Sequence, residues 1–171
     1  MEIDKLEEFI SKVPDFPKPG ILFYDMSTLI CDSKAFDAAI GHLEEKIKGY
    51  NINKIAAIDA RGFIFGAALA IKMNLGLIMI RKKNKTPGNP ISFEYELEYG
   101  KDCLEVNPKL CDANNFALID DVLATGGTAN AAINLLRKAG GKVSCFATLV
   151  ELKFLSGCEK IDIPFKTLIE Y

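Results

Sequence analysis

The sequence predicts an open α/β fold: a mostly parallel, twisted sheet flanked by helices. Two strand–helix–strand patterns carry that prediction, together with a glycine turn that joins strand to helix in the second. The chain has 171 residues, 49% of them hydrophobic and 26% charged, which suits one folded domain with one well-buried core.

Ile3, Leu6, Phe9, Ile10 and Val13 recur at helical spacing, and Pro14, Pro17 and Pro19 remove backbone donors, so a first helix is expected to end near Val13. Asp32 or Ser33 can cap a second helix whose apolar stripe is Phe36, Ile40, Leu43 and Ile47. His42 belongs to that amphipathic helix and reads as a surface or packing residue. KIAAIDA (Lys54 to Ala60), a helical Gly62 to Met73 and LIMI (Leu77 to Ile80) make the first unit. FALI (Phe116 to Ile119), Thr128 to Ala139 and Val143 to Val150 make the second, with Gly140 and Gly141 as the helix stop. Between the units, Lys82 to Asn114 opens as a basic loop and continues as a hairpin, in which Phe93, Tyr95 and Leu97 alternate with polar residues. So long an excursion in a compact domain points to function.

Composition excludes several classes. With 21 basic and 23 acidic residues the chain lacks the global positive field that non-specific nucleic-acid binding needs. Glu2, Asp4, Glu7 and Glu8 are the opposite of a signal peptide's charge, and five scattered cysteines fit free thiols in a reducing cytoplasm. The apolar run from Gly62 to Ile80 is broken by Lys72, Met73 and Asn74, so a buried helix and strand explain it better than a membrane span.

The most informative stretch is ALIDDVLATGGTA, Ala117 to Ala129. An apolar strand runs into Asp120 and Asp121, then into a turn, Ala124, Thr125, Gly126, Gly127 and Thr128, that opens a helix. Backbone N–H groups, two hydroxyls and the positive helix end suit a phosphate, and the glycines let it come close. Two carboxylates would repel that same phosphate; they suit sugar hydroxyls or a cation. Together they describe a phosphorylated ribose. Neither G-x-x-x-x-G-K-[ST] nor G-x-G-x-x-G occurs, so P-loop and dinucleotide sites have no support. Taken alone, an acidic pair before a glycine turn is also ordinary α/β architecture, and a basic run is an ordinary solvated loop.

D-D-x-x-A-T-G-G-T after an apolar strand resembles the phosphoribosyl pyrophosphate signature of type I phosphoribosyltransferases. DFPKPGILFYD (Asp15 to Asp25), DARGFIFGA (Asp59 to Ala67), RKKNKTPG (Arg81 to Gly88) and LEYG (Leu97 to Gly100) are similar, in order and spacing, to segments of the adenine phosphoribosyltransferases. The resemblance spans nearly the whole chain. It implies a single domain over 1–171, with a base-binding hood in 1–32 and a flexible catalytic hairpin in 82–106. It implies transfer of a phosphoribosyl group from 5-phospho-α-D-ribosyl 1-diphosphate to adenine, with Mg²⁺ bound through substrate and water and no direct protein ligand. By the same correspondence, Asp120 and Asp121 hold the ribose and Ala124 to Thr128 the 5-phosphate. Arg61, Gly62, Arg81, Lys82 and Lys85 serve the diphosphate, and Leu22, Phe23, Tyr24 and Val122 the base. Glu98, Tyr99 and Arg61 are the implied catalytic residues, and a homodimer is implied as well. The family's F-R-D stands here as Phe23, Tyr24, Asp25, and Thr86 replaces the leucine of K-L-P-G. Transfer to another purine, or a regulator that binds the sugar phosphate without turnover, are the competing readings.

Overall fold

The computed structural model describes residues 1–97 and 100–171. Among them the chain forms α1 (Ile3–Leu6), β1 (Ser11–Pro14), β2 (Leu22–Asp25), α2 (Ser27–Cys31) and α3 (Ser33–Ile47), followed by β3 (Lys54–Ile58), α4 (Gly62–Lys72) and β4 (Gly76–Lys82). Then come β5 (Ile91–Leu97), β6 (Gly100–Val106), β7 (Asn115–Leu123), α5 (Gly127–Lys138), β8 (Lys142–Glu151) and β9 (Phe165–Glu170).

Seven strands form one sheet in the order β5-β6-β4-β3-β7-β8-β9, while β1 and β2 make a separate antiparallel ribbon. The five strands from β4 to β9 pair in parallel, and the β5/β6 hairpin joins antiparallel at the β4 edge. Alternation along each strand divides the core. Ile55, Ala117 and Ile119 lie under α3 and α4, whereas Ala56, Ile58 and Leu118 lie under α5. The chain leaves β3 toward β4 on one side, and β7 enters on the other, so the switch point of the sheet falls between β3 and β7. There β3 ends at Ile58, and β7 runs on beside β8 to Leu123. That difference in length opens a fork at the carboxyl ends of the strands.

Both strand–helix–strand units are present, and Asp32 caps α3 by accepting hydrogen bonds from the N–H groups of Lys34 and Ala35. Three expectations need correction. The first helix stops at Leu6, continues as a 3₁₀ turn to Phe9, and gives way to β1, whose Val13 faces Phe23 of β2. Pro14 biases Val13 toward extended backbone, and the Thr28 hydroxyl captures the Phe9 carbonyl at 2.5 Å, so pairing overrides the helical spacing. The central strand includes both aspartates instead of ending at Ile119. The last strand, β9, closes the far edge beyond the expected elements. Among the described residues no helix is long and apolar enough to cross a membrane.

Candidate active site

A cleft of about 570 Å³ occupies the fork between β3 and β7. Its floor is the end of β7, one wall is the turn into α5, and the β1/β2 ribbon overhangs it with Leu22, Phe23 and Tyr24. Strand length puts the carboxylates there: Asp121 is buried at 5% exposure, and Asp120 keeps part of its surface open. Asp120 Oδ1 accepts the N–H of Asp121 at 2.9 Å. Burial, then the neighbouring Asp121 charge, pushes the Asp120 carboxyl well above the usual carboxylate range. Asp121 Oδ2 is ion-paired with Arg61 Nε. The Arg61 guanidinium also lies 5.4 Å from the centre of the Phe23 ring, which packs edge-on against Phe16 at 5.1 Å.

Gly62 opens α4 directly against β7. A Cβ there would stand 2.9 Å from both Asp120 Oδ1 and the Ile119 carbonyl oxygen, so only glycine lets the helix start so close. The turn Ala124 to Thr128 leads into α5 with Gly126 at φ 78°, in the left-handed region. Its back is covered by Gly157, which begins a 3₁₀ turn, Gly157–Lys160. A Cβ on Gly126 would overlap the Gly157 carbonyl oxygen and stand 3.1 Å from its carbon. The N–H groups of the turn and the positive end of a twelve-residue helix therefore face the same cleft as the acidic pair.

The cationic residues divide. Arg61 and Lys82 line the cleft. Arg81, next to Lys82 on β4, projects to the opposite face, because strand side chains alternate, and lies across from Glu105 of β6. Lys85 reaches back to Asp59 Oδ2 at 3.4 Å, and the same oxygen accepts the Lys82 N–H at 3.3 Å. Asp59 thus ties the basic loop to the end of β3. Val122 lines the cleft as expected. Tyr24 lines it too, but its ring is stacked on Tyr171 at 4.2 Å and 22°. Glu98 and Tyr99 lie outside the described residues.

Sequence reasoning missed Tyr95, Asp102, Tyr171 and Gly157. Tyr95 carried the alternation signal that predicted the hairpin, but its partners depend on strand register.

No cluster of three or more metal-ligating side chains occurs among the described residues. Two carboxylates beside the turn give the anionic surroundings that suit Mg²⁺ bound through substrate oxygens and water, with no direct protein ligand.

An N–H-rich turn and a carboxylate pair, set at the switch point beneath an aromatic wall, have the chemistry that a protein of the sugar-phosphate transferring class needs for a phosphorylated pentose and a flat partner. Residues 28–170 match the family model for the phosphoribosyl transferase domain. Over 158 residues the chain is 48% identical to an adenine phosphoribosyltransferase of Maridesulfovibrio salexigens, covering 92% of this chain and 93% of that one. It is similar to the crystal structure of the Thermoanaerobacter pseudethanolicus adenine phosphoribosyltransferase, with TM-score 0.96, 40% identity and 99% of each chain covered. The Saccharomyces cerevisiae adenine phosphoribosyltransferase, solved with an imino-altritol bisphosphate and adenine, matches with TM-score 0.92 and 34% identity over 97% of each chain. The chain belongs to the adenine phosphoribosyltransferase family.

Proposed function

We infer that the chain is a purine salvage enzyme: it transfers the 5-phosphoribosyl group of 5-phospho-α-D-ribosyl 1-diphosphate to adenine, giving AMP and diphosphate. The observation that carries this reading is the shared cleft, in which Asp120 and Asp121, near the end of the central strand, stand two residues before the turn of Ala124 to Thr128. That spacing matches a ribose whose hydroxyls meet the carboxylates while its 5-phosphate meets the turn.

The reaction breaks the bond from the anomeric carbon to diphosphate and forms one to the base nitrogen, through a sugar that carries positive charge. Asp120 and Asp121 hold the ribose hydroxyls next to it, and Thr125, Gly126, Gly127 and Thr128 anchor the far end. Such positioning and fixed electrostatics supply most of the acceleration. Arg61 uses Nε on Asp121, which leaves its two NH₂ groups to reach diphosphate oxygens. Gly62 and Lys82 belong to the same subsite and Lys85 adjoins it through Asp59, whereas Arg81, on the other face of β4, stands apart from it. Mg²⁺ accompanying the diphosphate supplies charge neutralisation of the leaving group.

The β1/β2 ribbon acts as the hood, with Phe23 and Leu22 against one side of the base, Val122 against the other and Tyr24 behind. Residues 82–106 act as the catalytic hairpin, in which Glu98 moves a proton at the base, assisted by Tyr99. A cytoplasmic homodimer fits the family and the free cysteines. The test is a panel of adenine, hypoxanthine, guanine and xanthine with the ribosyl diphosphate and Mg²⁺, scored for nucleotide. AMP formation with adenine preferred is the expected result; binding of the ribosyl diphosphate without nucleotide from any purine would make the chain a regulator.

A further inference from the structure

Tyr95 is buried at 9% exposure between the β5/β6 hairpin and the start of α5. A phenol oxygen has one proton and two lone pairs, and here all three are engaged. Oη donates to Asp102 Oδ2 at 3.0 Å and accepts from Lys82 Nζ at 3.1 Å and Thr128 Oγ1 at 3.3 Å. Lys82 Nζ is in turn ion-paired with the same Asp102 oxygen. Register builds the cluster. Tyr95 and Asp102 are directly opposed in the β5/β6 pairing, and Lys82 ends the neighbouring strand opposite Leu104. Four elements thereby meet at one oxygen: both hairpin strands, the strand that carries Lys82, and the turn that carries Thr128.

Resting on the reading of the cleft given above, we propose that Tyr95 is a positioning residue, which aims the Lys82 ammonium at the diphosphate. Lysine has three N–H donors on a flexible stem, and a lone one spends most of its time elsewhere. Asp102 and Tyr95 take two of the donors and leave the third for a ligand, and Lys82 lines the cleft. Burial opposes the charge on Lys82, but its bonds to Asp102 and Tyr95 outweigh that and hold its pKa above the usual lysine value, so the ammonium stays protonated. Asp102 is burdened by burial too, and the bonds from Lys82, the Cys103 N–H and Tyr95 pull its pKa below the usual range. The cluster is therefore a locked ion pair with one donor to spare.

The test is calorimetric titration of the whole protein with inorganic diphosphate and Mg²⁺. Tyr95→Phe keeps the ring in its packing and removes only the oxygen. It is expected to weaken diphosphate about fivefold, as one lost oriented hydrogen bond should. Asp102→Asn should weaken it in the same direction. In a Lys82→Met background, Tyr95→Phe should cause no further loss of diphosphate affinity, because its effect there passes through Lys82. Unchanged or tighter binding in Tyr95→Phe overturns the proposal, as does a Tyr95→Phe loss that persists in full without Lys82. A purely structural role would lower the melting temperature and leave diphosphate affinity alone, which also overturns it. A wild-type protein that binds diphosphate but makes no nucleotide would overturn the functional reading and leave the role of Tyr95 standing.

Discussion

Gly157 lies thirty residues beyond the phosphate turn and outside any signature motif, yet its replacement should damage that turn. A Cβ on Gly157 would overlap the Ala124 carbonyl oxygen and stand 2.9 Å from the Gly126 nitrogen and 3.0 Å from the Ala124 carbonyl carbon. All three are backbone atoms of the turn, so no side-chain rotation can relieve the crowding. Carbon contacts settle near 3.5 to 4.0 Å, so the turn must withdraw by about 1 Å. Gly157 has no left-handed φ, so the cost is overlap alone. Overpacking of this kind costs about 1–3 kcal/mol. Taken wholly in the fold, that would lower the melting temperature of a chain this size by roughly 2–12 °C. Taken wholly in the turn, it would weaken a bound phosphate by about five- to a hundredfold. Gly157→Ala should therefore lose both ribose 5-phosphate affinity and melting temperature, measured by calorimetry and thermal unfolding. Wild-type values for both would refute the claim that Gly157 shapes the phosphate turn.

Three further outcomes follow from the same geometry. Asp120 has a raised folded-state pKa, so between the ordinary carboxylate range and that raised value the unfolded chain binds fewer protons, and stability falls as pH rises. Asp120→Asn should melt higher than wild type at about pH 8 and converge with it near pH 4, while the KM for the ribosyl diphosphate rises; equal melting curves at both pH values would contradict the assigned shift. Tyr24→Ala removes the Tyr171 stack, worth about 0.5–1.5 kcal/mol, and should raise the KM for adenine about three- to tenfold with little change for the ribosyl diphosphate. Equal changes for both substrates would show that the ribbon does not act on the base alone. Glu98→Gln should lower kcat more than it raises either KM, by about a hundredfold if its proton transfer is essential, and an unaltered kcat removes its role.

The two parallel units were legible because strands buried on both faces read as unbroken apolar runs, as Lys54–Ile58 and the first half of Asn115–Leu123 do. The acidic pair and glycine turn were legible because local chemistry alone confines them to a strand end and a helix start. The β1/β2 ribbon was not, since Ile3, Leu6, Phe9, Ile10 and Val13 satisfy a helical period, and the pairing that overrides it comes from a separate segment, Leu22 to Asp25. The last strand alternates polar and apolar residues only weakly, with Lys166 and Thr167 in sequence, and forms because the edge of β8 is open to it. The least legible part was the Lys82–Tyr95–Asp102 cluster. Each member sits on a different strand, and a slip of one residue in either pairing would turn its side chain to the other face.

That contrast separates two kinds of specificity in one cleft. In the proposed function, sugar-phosphate binding falls to a contiguous stretch, Asp120 to Thr128, so a single local conformation would be enough to create it. The groups proposed for the base and the leaving group come from distant segments that meet only in the fold, and Arg61 is where they are joined. Its guanidinium touches the Phe23 ring of the ribbon and pairs with Asp121 of the central strand, so an aromatic wall and a sugar carboxylate share one planar cation. A lysine could match the charge but would have to serve both contacts from one nitrogen, whereas a guanidinium lies over a ring with its carbon while it donates to a carboxylate through Nε. The ribbon is thus registered against the central strand by the same residue proposed to meet the diphosphate, and in the proposal for Tyr95 the hairpin does the equivalent for Lys82.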